Sequence, residues 1–440
     1  MTTALPVRLR AGYASGGIAT GAFGTVPGLL LLPYLTDSLG IRSLIAGMIV
    51  FLPKAWDVIM NPITGRLSDR FSTTRGTRRP FLLWGGVALA FGFALLFSGP
   101  HAPMFLAGAW VVVTFLFCAT AYSIFQVPYV ALPAELTDDY AERTRLLTWR
   151  VAILAIAILA SGATAPLIRN AVGGAAGYRA MGVFVGVLIM IGALGAYLGT
   201  SGARTSTIPS PAGGLLTQLR RASESADFRA LLITFVVQAL AIGCMLAGVD
   251  YVARTVLQNP AASSILFACF VGPALLVTPG WQRVADHLGK KRGYLFSSVV
   301  LAAGAAGLLL AGRVPIVIIY ALTAVTGTGY AGCQLFPLAM LPDTAAHDAR
   351  QTGENRVGVF TGVWTAGETL GLALGPAIFA LVLTAGGYRS SAGNELSQPA
   401  SALTAITLGF SVLPAVVIMI SLFALQRYAL TREDVAIDGR

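Results

Sequence analysis

Twelve apolar runs, most of about twenty residues or more, organise this 440-residue chain. An α-helix needs about 20 such residues to cross the hydrocarbon core of a bilayer. The runs fall at about 11–36, 43–65, 80–99, 103–132, 146–168, 178–200, 229–257, 261–283, 293–312, 314–341, 357–385 and 401–426. Only 11% of residues are charged, against about 25% in a soluble domain, so a water-exposed surface of this size is excluded. Stretches such as Val151–Ala160 lack the apolar–polar alternation of an outer-membrane barrel strand. The expectation is an all-α polytopic membrane protein with its spans in the lipid bilayer.

The longest hydrophilic stretch, about 201–228, carries Ser206, Pro209, Pro211, Arg220, Arg221 and Glu224 and reads as a cytoplasmic linker. It divides the chain into a six-helix bundle over 1–200 and a second over 229–440, the latter with a short tail. The two sets repeat weakly. Gly65-Arg-Leu-Ser-Asp69-Arg70 follows the second run and Asp286-His-Leu-Gly289 follows the eighth, each before a basic cluster. Leu132-Pro133 after the fourth run matches Leu341-Pro342 after the tenth, both preceding acids. The offsets, 217 residues for Asp69 and Asp286 and 209 for the prolines, are about half the chain. Paired six-helix repeats are a transporter architecture, with the substrate near the membrane midplane.

The formal charge of +11 is explained by topology rather than by nucleic acid. With both termini cytoplasmic, the inside segments hold 22 Lys and Arg and the outside loops five (Arg42, Arg169, Arg179, Arg313, Arg389), as the positive-inside rule requires. Cys118, Cys244, Cys269 and Cys333 lie inside apolar runs without paired spacing and read as packing residues. Arg8 and Arg10 lead into an apolar stretch too long for a cleaved signal. There is no nucleophile–base pair or metal-ligand cluster, so an enzyme is not expected.

Charged groups at membrane depth are costly and face cavities or partners, which makes each a functional candidate. In the second run Lys54, Asp57 and Asn61 are spaced to share one helical face. The alternative reading is that Lys54 and Asp57 only neutralise each other. The fourth run contains Ser123, Gln126, Pro128 and Tyr129, and Arg150 opens the fifth. Arg150 suits an anionic or hydroxyl-rich substrate, or else snorkels to the headgroups. The eleventh run holds Trp364, Thr365, Glu368 and Thr369, and Glu368 has no basic residue at helical spacing in its own run, which suits proton carriage. Asp250 and Arg254, four apart, read as a local ion pair. The charges of the loop Glu135–Arg145 read as ion pairs that switch between conformations.

Three regions together carry a family resemblance: Trp56-Asp57 with Asn61-Pro62 and Gly65; Pro128-Tyr129 with Glu135-Leu-Thr and Glu142-Arg143; and Leu341-Pro342-Asp343-Thr344 and Asp348 with Gly362, Trp364-Thr365 and Glu368. In these the chain resembles the major facilitator superfamily, and within it the glycoside–pentoside–hexuronide:cation symporters, the family of the melibiose permease. The resemblance implies the major facilitator fold of twelve helices in two pseudo-symmetric bundles. It places Asp57 at the first cation-site carboxylate of sodium-coupled members and Arg150 at the arginine of the sugar site. The second carboxylate position holds Asn61, the fourth-span acid position Gln126, the eleventh-span lysine position Thr369, and no acid stands near Gly21.

The resulting expectation is a secondary active transporter of the inner or plasma membrane. It would carry a small organic solute, sugar- or glycoside-like, in symport with a proton rather than sodium, with no other cofactor and no metal. Its working partners would be that solute and the bilayer; the chain would act as a monomer. The coupling-ion set is Asp57, Glu368, Asn61 and Ser123; the substrate set Lys54, Gln126, Tyr129, Arg150, Trp364 and Thr369. The gating set is Gly65, Asp69, Arg70, Glu142, Arg143, Asp286 and Asp343. Alternatives are a lysolipid or other amphiphile carrier on the same scaffold, and a non-transporting receptor or assembly factor.

Overall fold

The computed structural model describes residues 5–75, 77–137, 139–201, 224–352, 357–393 and 396–430. Most of the expected linker, 202–223, lies outside them, as do Asp138 and Glu354, Asn355 and Arg356. Among the described residues there is no strand, and twelve helical segments are long and apolar enough to cross a membrane. In chain order the helices are α1 (Val7–Pro33), α2 (Ser43–Arg75), α3 (Arg79–Leu96), α4 (Met104–Leu136), α5 (Tyr140–Val172) and α6 (Gly174–Gly199). They continue as α7 (Ala226–Tyr251), α8 (Ala262–Leu288), α9 (Lys290–Gly307), α10 (Ile316–Thr352), α11 (Val357–Ala385), α12 (Ala400–Phe410) and α13 (Val412–Gln426). The last two form one span, interrupted at Ser411.

Three helices outrun the expected spans. α2 continues to Arg75, α4 to Leu136 and α10 to Thr352, so Gly65–Arg75 and Asp343–Thr352 are helix, not loop. Hydropathy marks where a helix leaves the apolar layer; it does not mark where the backbone stops being helical. α5 likewise starts early, at Tyr140. The Asp139 carboxylate accepts from the Glu142 amide at 3.3 Å and so caps the first turn. The connection between α4 and α5 shrinks to residues 137–139. At the end of α8, Gly289 takes φ +83°, where a side chain would strain the backbone, and α9 begins at once.

The helices gather into two units, Met1–Ser210 with Arg389–Leu396, and Pro211–Tyr388 with Ser397–Arg440. Unit 1 packs α1 on α5 and α6, α3 on α4 and α6, and α2 on α4. Unit 2 packs α7 on α11 and α13, α9 on α10 and α13, and α8 on α10. These are the same five pairings, helix for helix. The first helix of each unit also ends alike, in π-helical turns at Tyr34–Ser38 and Val252–Val256. Each turn is followed by a residue at positive φ, Gly40 at +69° and Gln258 at +50°. The closing hydrogen bonds match as well: Leu39 to Tyr34 and Ile41 to Leu35, against Leu257 to Val252 and Asn259 to Ala253. In unit 1 the segment from Arg389 seals that turn, Ser391 N donating to Thr36 O at 3.1 Å and Ser390 Oγ to Ile41 O at 2.8 Å.

Candidate functional site

The polar centre of unit 1 is built on one face of α1. Tyr13, Thr20 and Phe23 face Tyr129, Gln126 and Tyr122 of α4 in that order. The Tyr13 and Tyr129 rings lie 5.0 Å apart and the Tyr129 hydroxyl donates to Tyr13 O at 2.9 Å. Thr20 Oγ1 donates to Gln126 Oε1 at 2.7 Å, and Phe23 meets Tyr122 at 4.7 Å. Small residues permit this approach: a Cβ on Gly16 would fall on the Tyr129 ring, and one on Gly17 within 3.1 Å of the Arg150 carbonyl oxygen. Arg150, on α5, lays its guanidinium over Tyr129, 5.1 Å from the ring centre.

α2 adds the ionisable pair. Asp57 is buried, with 3% of its surface exposed, beside Lys54 and Ser123. Among the described residues its Oδ1 and the Ser123 Oγ have no hydrogen-bond partner. Lys54 does not form an ion pair with it; the ammonium sits instead over the Phe23 ring, 5.1 Å from the centre. The two charges still act on each other electrostatically without touching. Trp56 Nε1 donates to Thr120 at 3.1 Å, which ties α2 to α4 at this level. Asn61, one turn beyond Asp57, is half-buried. The structure thus brings Lys54, Asp57, Ser123, Gln126, Tyr129 and Arg150 into one unit. Tyr13, Thr20 and Phe23 were not singled out by the sequence, because neutral residues in an apolar run carry no burial penalty that would mark them.

Unit 2 has a different centre. Glu368 on α11 faces Tyr330 of α10, whose hydroxyl accepts from Gln334 Nε2 at 3.1 Å and whose ring stacks on Phe270 at 4.9 Å. Trp364 is 2% exposed and stacked on Phe235 at 4.3 Å, so its role is packing between α7 and α11. Thr369 donates to Thr365 O of its own helix. Trp364 is thereby enclosed by protein, whereas Thr369 keeps a half-buried surface on α11. Asp250 and Arg254 do pair, at 3.4 Å, and Ser263 Oγ donates to Asp250 at 2.9 Å.

The helix ends carry paired charges. Arg78, ahead of α3, bridges Asp69 of α2 at 2.5 Å and Glu135 at the end of α4 at 3.1 Å, and Ser72 also donates to Glu135. Burial pushes the Glu135 carboxyl above its usual value, and the Arg78 charge opposes that shift. In unit 2, Lys290 at the start of α9 pairs with Asp343 of α10 at 2.5 Å. The two units therefore tie the start of the third helix to the end of the fourth in the same way. Glu142 binds Arg10 of α1 and Arg145, whereas Arg143 donates to the Thr137 carbonyl. Gly65 and Arg70 lie on α2 and Asp286 on α8, in helix.

Residues 12–432 match the MFS/sugar transport protein family. The chain belongs to that family. A putative glycoside/cation symporter of Escherichia coli is 26% identical, over 96% of this chain and 93% of its own length. The isoprimeverose transporter of Lactiplantibacillus pentosus is 24% identical over 96% and 89%. Among solved structures, a proton-dependent oligopeptide transporter superposes with a TM-score of 0.67 at 15% identity, covering 97% of this chain and 98% of that one. A bacterial homologue of the human lysosomal transporter Spinster gives 0.64 at 12%, over 96% and 95%; both likenesses concern the fold. The family member is a multi-pass membrane protein with the major facilitator fold and a secondary transporter, not an enzyme.

Proposed function

We propose that this facilitator is a proton-coupled symporter of a small hydroxyl-rich solute, sugar- or glycoside-like, working by alternating access with both termini cytoplasmic. The observation that carries this reading is Asp57: a buried carboxyl with an oxygen that accepts no hydrogen bond among the described residues, and with the Lys54 ammonium and a hydroxyl beside it. A proton needs one such group. A sodium ion needs several oxygen ligands and charge compensation, and the neighbouring positions hold the amides Asn61 and Gln126. Gln126 Oε1 already accepts from Thr20. Amide oxygens can coordinate a cation but do not offset its charge in a low-dielectric site. The likeness to a glycoside/cation symporter and an isoprimeverose transporter, with the hydrogen-bonding side chains of unit 1, supports the solute class.

The test is uptake of radiolabelled isoprimeverose and simple glycosides into proteoliposomes under two imposed gradients. A pH gradient without sodium is expected to drive accumulation, and a sodium gradient at fixed pH is not. Accumulation under sodium alone would overturn the assignment of the ion.

A further inference from the structure

We propose that Tyr428 is a positioning residue for the Lys290–Asp343 ion pair of unit 2, and through that pair for the rate of the transport cycle. α13 ends at Gln426, yet the chain beyond it turns back into the unit, and Tyr428 is 3% exposed. Its hydroxyl lies 3.3 Å from Thr344 Oγ1. Thr344 already donates to Met340 O at 2.9 Å, so Tyr428 is the donor of the bond between them. The Tyr428 carbonyl accepts from the Lys291 ammonium at 2.5 Å, which also donates to Gln426 O at 3.2 Å. The next amide, Ala429 N, donates to Asp227 Oδ1 at 2.6 Å, pinning the turn to the start of α7.

The two residues that Tyr428 holds are the chain neighbours of the ion pair. Thr344 follows Asp343 on α10, and Lys291 follows Lys290 on α9. Lys290 Nζ reaches Asp343 Oδ2 at 2.5 Å and Ala339 O at 3.0 Å, but its side chain is 41% exposed. An exposed pair loses most of its Coulomb gain to the entropy of holding two side chains in one geometry. Fixing both backbones from one residue lowers that cost. Burial pushes the Tyr428 hydroxyl up to about 12, with the Asp343 and Asp227 carboxylates adding to the rise, so it stays protonated and able to donate. Unit 1 meets the same need differently. There the pair is held by a buried arginine, Arg78, on two carboxylates, and Arg79 caps the end of α6 through Tyr197 O at 2.6 Å. The single lysine pair of unit 2 depends on Tyr428 instead.

The experiment is a double-mutant cycle of Tyr428→Phe and Asp343→Asn. Tyr428→Phe keeps the buried ring and deletes the hydroxyl; Thr344→Val removes the same bond from the other side. The first readout needs no solute: the rate at which N-hydroxysuccinimidyl acetate acetylates Lys290 in the purified protein, followed by peptide mass spectrometry. An ammonium released from its carboxylate gives up its proton more readily and reacts sooner. Acetylation is expected to run about threefold faster in Tyr428→Phe and in Thr344→Val, at least as fast in Asp343→Asn, and no faster in the double mutant than in Asp343→Asn. The second readout is uptake of radiolabelled isoprimeverose, whose maximal rate should fall in Tyr428→Phe at unchanged apparent affinity. Adding Tyr428→Phe to Lys290→Gln should slow it no further. Wild-type acetylation in Tyr428→Phe, additive rates in the double mutant, or added slowing on Lys290→Gln would overturn the proposal and leave Tyr428 a packing residue. If Tyr428→Phe does not fold, Thr344→Val carries the same cycle. If the wild type takes up no isoprimeverose, the solute reading fails and the acetylation cycle still decides.

Discussion

The two units use the same five helix pairings and fill the crossings with different chemistry. Where α3 meets α4 and α6, unit 1 places Gly85 and Gly86 against Phe125 and Ala193, so closely that a Cβ on either glycine would strike its neighbour. At the matching crossing of unit 2, α9 presents Ser297 and Ser298 instead. Both hydroxyls lie near Cys333 Sγ, and Gln238 Nε2 bridges Ser298 at 2.9 Å and Ser421 at 3.1 Å. Unit 1 is held there by close packing; unit 2 adds buried polar contacts to close packing of its own, where a Cβ on Gly332 would strike the Ser297 Cβ. The centres differ in the opposite sense: unit 1 gathers Lys54, Asp57 and Arg150, while unit 2 has Glu368 beside Tyr330. A repeat preserves which helices pack together, and the occupants of each crossing are free to diverge. Function can then be concentrated in one copy.

Breaking the asymmetry of the centres should have the largest effect. Asp57→Asn is expected to reduce concentrative uptake to the level of protein-free liposomes while leaving solute exchange. Glu368→Gln, the matched neutralisation in unit 2, should keep accumulation. Concentrative uptake by Asp57→Asn would show that unit 1 does not carry the coupling.

The crossings come next. Gly86→Ala puts a methyl on the Ala193 side chain, and overpacking of this kind costs about 1–3 kcal/mol. Ser298→Ala removes hydrogen bonds that inside membranes average about 0.6 kcal/mol. Detergent thermal unfolding should therefore show the larger drop in melting temperature for Gly86→Ala. The reverse order would mean that the polar network of unit 2, not the close packing of unit 1, is the stronger clasp.

The helix-end ion pairs sharpen the comparison further. Arg78 is 8% exposed and serves two carboxylates; Lys290 is 41% exposed and serves one. Removing one partner of a buried pair costs about 3–5 kcal/mol at most, against roughly 0–1 for an exposed pair. Arg78→Gln should thus slow transport turnover more than Lys290→Gln at unchanged solute affinity. Asp69→Asn, which leaves Arg78 its Glu135 partner, is the mildest change: a modest slowing of turnover with the same affinity. An unchanged rate in all three would reduce these charges to setters of topology.

Much of the fold was legible without coordinates because each signal is local. The apolar runs mark the spans, Pro133 and Pro342 mark the repeat, and the spacing of Asp250 and Arg254 foretold their pair. Asp57 stood out because a carboxylate in an apolar run has few explanations. The errors had equally local causes. Hydropathy ended α2 at residue 65 because Arg66 and Asp69 are charged, although charged residues outside the bilayer are good helix formers and the helix runs to Arg75. Trp364 looked available for a sugar because an indole suits both stacking on a ligand and packing in a core, and its own neighbours in sequence do not distinguish them.

The sequence by itself determined the class of the molecule, its spans, their repetition and the identity of the rare charged groups in the membrane. Each of these follows from composition and spacing along one helix. Tertiary structure alone decided which groups meet: that Lys54 rests on Phe23 instead of closing on Asp57, that Thr20 occupies the oxygen of Gln126, and that Arg78 joins Asp69 to Glu135. Those partners come from different elements, from nine to 106 residues apart in the chain. The packing of α1, α2, α3 and α4 sets their distances, and helical spacing within any one of them does not.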